Sequence, residues 1–335
     1  MGRSAGLKTR LIGTTQTLLG AAHIPLAPRV RLGERPILLD CGEDFSNGSD
    51  TSVRLKGYLN RQPSGRPSHG LVVFLHGWHG CAHASDVLVV AERLVRAGFD
   101  VFRLNFRDHG ETGGLNVGFF NGTLLREVVT AIGHVNADLK PGRLFIVGHS
   151  LGGNFALRVG LQKQAQFKNL NRIVAVCPPL NPERVIQNID SQFLFRTYFR
   201  NRWLRVLKRK QVDFPGRYDF ATASLVRGNI ELTEWLRQNY SNFSSSQDYF
   251  SRFSVQPKNF KNLWCPTTIV ATRNDPVIPI ADIEALPRHD LLKIQIFENG
   301  GHLGFTRAVP FYQRLLPDIV LQCLQDNTGS KLRNW

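Results

Sequence analysis

The sequence predicts an α/β fold with a mostly parallel central sheet, helices on both faces of the sheet, and a helical cap inserted after the sixth strand. Two observations predict it. Short runs that are apolar throughout alternate with longer amphipathic runs, as expected for strands buried on both faces and for the helices that cover them. The alternation stops between residues 180 and 264, where the chain becomes aromatic and basic with a helical period, and then it resumes.

The first half of the chain supplies six of the predicted strands. Residues 71–75 are all apolar and end at a His-Gly pair, which predicts a buried strand, and residues 85–97 predict a helix that Gly98 ends. The remaining elements follow in order: an antiparallel opening pair at 37–40 and 53–58, a strand at 100–106, a helix at 123–139 ended near Pro141-Gly142, a strand at 144–147, a helix at 151–161 and a strand at 172–177.

The second half begins with the cap and then returns to the strand–helix pattern. We predict strands at 267–271 and 293–297, a short helix at 280–286 and a last helix from about 306 to 325. The chain is divided accordingly into an N-terminal extension with the start of the sheet (1–50), a first part of the core (51–180), a helical cap (181–263) and a second part of the core (264–335).

The composition is that of an ordinary globular protein. Of 335 residues, 42% are hydrophobic and 20% are charged, which excludes a disordered chain, a collagen and a coiled coil. The 42 Lys and Arg residues outnumber the 26 Asp and Glu residues, so the formal net charge is +16. This charge favours anionic surfaces in general without choosing among them.

Cysteine usage and hydropathy indicate a cytoplasmic protein. The five cysteines are scattered and form no C-x-x-C pair, which argues against a zinc ribbon or a disulfide scaffold and fits a reducing compartment. The sequence has no run of about 18 apolar residues to span a membrane. Polar residues 14–17 interrupt the apolar run after Arg10, so the N-terminus is a poor signal peptide.

Ser150 is the candidate nucleophile. It lies in Gly148-His149-Ser150-Leu151-Gly152, a G-x-S-x-G match that follows a predicted strand and opens a predicted helix. A strand–serine–helix elbow needs small residues two positions before and after the serine, because the backbone turns sharply there. The alternative is an ordinary serine N-cap of the helix.

Asp275 and His302 are the candidate acid and base. A serine hydroxyl needs a base that a carboxylate orients, and in a fold with this elbow the expected chain order is Ser, acid, His. Both residues follow predicted strands, and paired glycines precede His302. The alternative, if each residue is considered without the other, is that Asp275 is a turn or cap residue and His302 an ordinary loop histidine. Asp108 is a rival acid that precedes the serine, and Asp282 is a rival inside a predicted helix.

Two backbone N–H groups are expected to bind the oxyanion. One belongs to Leu151, the residue after the nucleophile, and the other to Trp78 in the loop after strand 71–75. His76 and His79 in that loop have a spacing that a metal site could use, but no third ligand lies near them in the sequence, so loop histidines are the favoured interpretation. Residues 107–110 are expected to shape another loop on the same rim.

The cap contains an aromatic and basic segment at residues 193–217. We interpret it as a lid helix with its apolar side on the active site; a membrane-surface helix is the main alternative, and a nucleic-acid face is not expected. Aromatic residues 193, 195, 198, 199 and 203 are interleaved with eight basic residues: Arg196, Arg200, Arg202, Arg205, Lys208, Arg209, Lys210 and Arg217.

Taken together, the motif segments resemble the YheT-like branch of the α/β-hydrolases, a group of carboxylesterases related to lipid-acting αβ-hydrolase-domain proteins. The resemblance covers roughly residues 50–310, and it implies the α/β-hydrolase fold and a serine ester hydrolase without metal or organic cofactor. By the same resemblance, Ser150 is the nucleophile, His302 the base and Asp275 its partner. The segments that carry it are 75–78, 107–110, 148–154, 246–250, 275–276 and 300–305.

The sequence departs from that branch in two places, the 107–110 loop and the N-terminal 40 residues. It also lacks the H-x-x-x-x-D motif of acyl-transferring relatives. We therefore predict a serine carboxylic ester hydrolase that works through an acyl-enzyme, with short- to medium-chain acyl esters as substrates. A membrane-surface lipase or phospholipase that contacts anionic lipid peripherally, and a catalytically silent binding module, are the alternatives.

Overall fold

The computed structural model describes residues 2–21, 29–44, 52–162, 167–307 and 313–326. Within them an eight-stranded sheet forms the centre of the molecule. Its strands are β1 (Arg35–Glu43), β2 (Ser52–Asn60), β3 (Leu71–Leu75), β4 (Asp100–Leu104), β5 (Leu144–His149), β6 (Leu170–Val176), β7 (Thr267–Thr272) and β8 (Leu292–Phe297), and a separate pair joins β9 (Thr306–Arg307) and β10 (Gln313–Arg314).

The strand order in the sheet is β1-β2-β4-β3-β5-β6-β7-β8. β1 pairs antiparallel with β2, and β2 with β4, while all later pairs are parallel. Every side chain of β3 and β5 is buried, as expected for central strands covered on both faces. The carboxyl ends of β5, β7 and β8 consequently lie at the same edge of the sheet, which is where such folds bind ligands.

The described residues form ten α-helices around this sheet. α2 packs against α10, and α3 packs against α4, which in turn lies along β5 and β6. The helices are α1 (Gly2–Ala21), α2 (Ser85–Arg96), α3 (Leu125–Leu139), α4 (Leu151–Leu161), α5 (Pro182–Asp190), α6 (Phe193–Asp213), α7 (Asn229–Tyr240), α8 (Ser246–Ser251), α9 (Ile280–Glu284) and α10 (Leu316–Gln325).

Helices α5 to α8 lie between β6 and β7 and have a small apolar core of their own. Its buried members include Leu207, Tyr218, Phe220 and Leu232. A buried ion pair joins this insertion to the sheet domain, since Lys210 Nζ lies 2.8 Å from Asp108 Oδ1. The two parts are therefore connected by polar contacts as well as by packing.

The fold agrees with the predicted α/β class and with the predicted succession of strands along the chain. Two features differ from the prediction. The last helix begins at Leu316 and not near 306, because Thr306–Arg307 pairs with Gln313–Arg314 as a short antiparallel ladder. Pro317 fits the first turn of that helix, and residues 308–312 lie outside the described residues. The second difference is α1, a helix where the sequence analysis assigned no element.

None of the helices in the described parts of the chain combines the length and the apolar character needed to cross a membrane.

Candidate active site

Ser150 lies at a sharp turn between β5 and α4. Its backbone has φ +50° and ψ −119°, a strained combination for a residue with a side chain, and its N–H donates to the Val176 carbonyl at 2.8 Å. A Cβ on Gly148 would overlap the Gly152 backbone, and a Cβ on Gly152 would overlap Leu75. Glycine is thus required at both positions by close backbone approach.

The structure brings Ser150, His302 and Asp275 together in one hydrogen-bonded series. His302 Nε2 lies 3.0 Å from Ser150 Oγ, and His302 Nδ1 lies 2.9 Å from Asp275 Oδ2. With Nδ1–H donating to the carboxylate, Nε2 is free to accept the serine proton. The His302 and Asp275 side chains are 8% and 2% exposed, so water competes little for these hydrogen bonds.

The loop after β7 fixes the Asp275 carboxylate. Its other oxygen, Oδ1, accepts the backbone N–H groups of Val277 at 2.7 Å and Ile278 at 2.9 Å. These bonds hold the plane of the carboxylate toward His302.

Asn274 joins the loop of Asp275 to the loop of His302. Its Oδ1 accepts the backbone N–H groups of Gly300 at 3.0 Å and Gly301 at 2.9 Å. Gly301 has φ +58°, and Leu303, which is not glycine, has φ +62°. Asn274 carries no motif of its own, and its position directly before the acid is the one signal that the sequence offers for it.

The two residues expected to form the oxyanion hole lie beside Ser150. Leu151 begins α4, so its N–H is among the four that have no acceptor within the helix. The loop after β3 passes so close that a Cβ on Gly77 would be 3.3 Å from Ser150 Cβ. Trp78 follows in that loop and lines the same cavity as Ser150.

The histidines of this loop are engaged in structural contacts. His76 Nε2 accepts the Phe106 N–H at 3.1 Å, while Nδ1–H donates to the Gly77 carbonyl at 2.8 Å. Burial lowers the pKa of His76 to about 3. The ring of His79 stacks on that of His109, whose pKa burial lowers to about 4. These rings are uncharged at neutral pH. Since both nitrogens of His76 are occupied, the His76–His79 spacing does not present a metal site.

The rival acids are paired elsewhere. Asp108 bonds Lys210 through Oδ1, and its Oδ2 accepts the Phe120 N–H at 2.7 Å. Asp282 pairs with Arg184. The neighbouring loop residue Arg107 is buried between the carboxylates of Asp44 and Glu127, at 2.7 and 2.5 Å. Asp108 and His109 of the 107–110 loop line the cavity that contains Ser150.

Cys177, Asp275 and His302 form a cluster with atoms close enough to hold a metal ion. The residues do not fit one well. Burial, followed by the charge of Asp275, raises the pKa of the Cys177 thiol well above its ordinary value, whereas metal ligation needs the thiolate. The Asp275 and His302 atoms in question also bond one another.

Ser150 opens into an apolar cavity of about 90 Å³. Both the sheet domain and the insertion line it, and Trp78 stacks on Phe199 and meets Trp203 edge-on, with centroids 5.4 and 5.0 Å apart. A second cavity of about 370 Å³ shares several walls with it and extends toward charged side chains. The shared walls are Phe119, Phe120, Asn121, Trp203, Thr233 and Tyr249.

Residues 72–314 match the model of the family described as "Alpha/beta hydrolase family". The chain belongs to the α/β-hydrolase family. This α/β hydrolase is 24% identical over 265 residues to embryogenesis-associated protein EMB8 of Picea glauca, covering 73% of this chain and 56% of that protein.

A second relative matches over a shorter stretch. The α/β hydrolase is 29% identical over 99 residues to a monoacylglycerol lipase of Mycolicibacterium smegmatis, covering 29% of this chain and 35% of that one. The matched segments thus span about half, or less, of these two relatives.

Solved structures resemble this α/β hydrolase at low sequence identity. An esterase of Pyrococcus furiosus has a TM-score of 0.53 at 16% identity, covering 91% of this chain and 97% of that one. A bacterial membrane phospholipase A has a TM-score of 0.54 at 14% identity, covering 97% and 93%. These likenesses show the fold alone, and membership of the α/β-hydrolase family supports a hydrolase.

Proposed function

We propose that this α/β hydrolase is a serine carboxylic ester hydrolase that works through an acyl-enzyme. The observation that carries the proposal is the series Ser150 Oγ, His302 and Asp275, with donor–acceptor distances of 3.0 and 2.9 Å, at a strained strand–helix elbow. This arrangement supplies a nucleophile, a base and a group that orients the base.

In the proposed reaction, Ser150 Oγ attacks the ester carbonyl carbon while its proton moves to His302 Nε2. The Leu151 and Trp78 N–H groups bind the negative oxygen of the tetrahedral intermediate. When the intermediate collapses, the alcohol leaves with the proton from His302. Water then attacks the acyl-enzyme carbonyl, gives its proton to His302, and releases the carboxylic acid and the free serine. Asp275 stabilises the imidazolium in both halves.

We place the chain in the YheT-like branch of the family, on the strength of the Ser-Leu-Gly-Gly-Asn segment at 150–154 and the Gly-Gly-His-Leu-Gly-Phe segment at 300–305. We also propose that residues 181–263 act as a cap over the site. The contribution of Phe199 and Trp203 to the wall of the Ser150 cavity supports this role.

Short- to medium-chain acyl esters are the proposed substrates, because the cavity at Ser150 is small and mostly apolar. Across p-nitrophenyl esters of increasing acyl length, kcat/KM is expected to rise to medium chains and then fall. Ile189→Phe, which narrows this cavity, should move the optimum to shorter chains. Leu225→Phe is the matched control, since Leu225 is 77% exposed. A series without any length preference would remove this substrate class.

A lipase that works at a membrane surface is the second candidate. The observation that favours it is the start of α6, where Phe193, Leu194 and Tyr198 are 75%, 51% and 46% exposed beside the arginines of the same helix. Apolar side chains among cationic ones suit an anionic lipid surface.

Cosedimentation with vesicles of phosphatidylserine and phosphatidylcholine tests this candidate. We expect binding that weakens several-fold when salt screens the arginines and that falls in the double variant Phe193→Ser, Leu194→Ser. Val212→Ser, near the other end of the same helix, is the control, because Val212 is also exposed. Absent or salt-independent binding would count against a membrane-surface lipase.

A further inference from the structure

Helix α1 packs directly against the two loops that carry Asp275 and His302. A Cβ on Gly13 would overlap the Asn274 carbonyl, and a Cβ on Gly20 would overlap Gly304. The residues that face the loops are Gly13, Gln16, Thr17 and Gly20, spaced as one face of a helix. The two glycines permit the close approach, and the two polar residues between them make the specific contacts.

Gln16 and Thr17 supply hydrogen-bond acceptors to the backbone of the His302 loop. Thr17 Oγ1 accepts the His302 N–H at 2.8 Å, and Gln16 Oε1 accepts the Gly300 N–H at 2.9 Å. Gln16 Oε1 also accepts from Asn274 Nδ2 at 3.0 Å. One glutamine therefore contacts both the loop that bears the acid and the loop that bears the base.

The described apolar side chains of α1 bury little surface against the rest of the molecule. Among the side chains of α1 that the structure describes, the large apolar ones, Leu11, Ile12, Leu18 and Leu19, are all exposed. The polar contacts of Gln16 and Thr17 and the close backbone packing at Gly13 and Gly20 attach this face of the helix to the two loops. The backbone that they hold has positive φ on both sides of His302, at Gly301 and Leu303. Glycine adopts this conformation readily, but at Leu303 it is strained and persists only where surrounding structure enforces it.

We propose that α1 is a brace for the catalytic base, and that Thr17 and Gln16 are positioning residues that set the distance between the His302 ring and Ser150 Oγ. The proposal rests on the proposed ester hydrolase function. A displacement of about 1 Å at a reacting group can cost on the order of 100-fold in rate. Losing one acceptor of the brace is therefore expected to act on turnover more than on substrate binding.

The test replaces Thr17 with valine, which keeps the shape and removes the acceptor. We expect Thr17→Val to lower kcat for p-nitrophenyl butyrate by about 10- to 100-fold, with KM changed less than about threefold. Thr17→Ser should restore turnover, because it keeps Oγ. Thr15→Val is the matched control: Thr15 is exposed, and its Oγ1 bonds the Leu11 carbonyl of the same helix. Gln16→Met provides a second variant should Thr17→Val fold poorly.

Amide hydrogen exchange gives a readout that does not depend on activity. The amide of His302, which loses its acceptor, should exchange at least tenfold faster in Thr17→Val than in Thr15→Val. A folded Thr17→Val enzyme with wild-type kcat, or with unchanged exchange at the His302 amide, would overturn the brace. A wild type that neither hydrolyses esters nor reacts with a fluorophosphonate would instead overturn the proposed function, and the exchange comparison would still decide whether α1 holds the loop.

Discussion

Replacing Ser150 with alanine is expected to lower kcat for ester hydrolysis by roughly 10⁵- to 10⁶-fold, the scale found when a triad nucleophile is removed. The substitution deletes the attacking oxygen and leaves the rest of the elbow intact. Because alanine and serine tolerate the φ of +50° at this position similarly, we expect the folded structure to be retained. The measurements are kcat on p-nitrophenyl butyrate and covalent labelling by a fluorophosphonate, with thermal unfolding to verify the fold.

The comparison needs a serine that lies outside the site. Ser64→Ala is suitable, since Ser64 is exposed in the turn before β3, and it should label and turn over like the wild type. Residual activity within tenfold of wild type in Ser150→Ala would mean that another group is the nucleophile. Failure of the folded wild type to label would favour a binding module that retained the fold.

The second large effect is expected from Asp275→Asn, which should lower kcat by about 10⁴-fold. An asparagine can still accept the Val277 and Ile278 N–H groups through its carbonyl oxygen, so the loop should stay in place. Its NH₂ group then faces His302 Nδ1. That contact favours the tautomer with the proton on Nε2, which cannot accept the proton of Ser150. The kcat of the folded variant, measured near neutral pH, checks this expectation.

Asp282→Asn is the matched control for that substitution. Asp282 is paired with Arg184 and has no part in the proposed mechanism, so the variant should keep kcat within about threefold of wild type. If Asp275→Asn lost less than tenfold, or if both variants lost the same, Asp275 would not be the group that orients His302.

The elbow was predictable from sequence because its requirements are local. Glycine is required at 148 and 152 because backbone atoms a few residues away, or on the adjacent strand, leave no room for a Cβ. The steric requirement is therefore visible in the motif itself. The locations of Asp275 and His302 followed from the strand pattern, since each follows a strand of a parallel sheet. The hydrogen bonds among the three side chains needed the structure.

Other parts of the site have no local signature. Gln16 and Thr17 lie in a polar, glycine-containing segment, and their partners are 284 and 285 residues away. The ion pair of Lys210 with Asp108 spans 102 residues, and the sequence pattern assigned Lys210 only to a basic run. The prediction that the last helix begins near residue 306 was wrong for a similar reason. The short β9–β10 ladder there depends on pairing between two segments and not on a helical period.

The contact between α1 and the His302 loop also orders the events of folding. The Ser150 elbow joins β5 to α4 without a break in the chain, so it can form as soon as those neighbours pair. Thr17 meets His302 only after 285 residues of chain are closed into a loop, and contacts of that separation carry the largest closure entropy and form slowly. During synthesis, α1 must wait for the segment after β8 to emerge. Recovery of ester turnover after refolding therefore reports the formation of the contact between α1 and the His302 loop. Recovery of sheet structure reports only the formation of the central sheet.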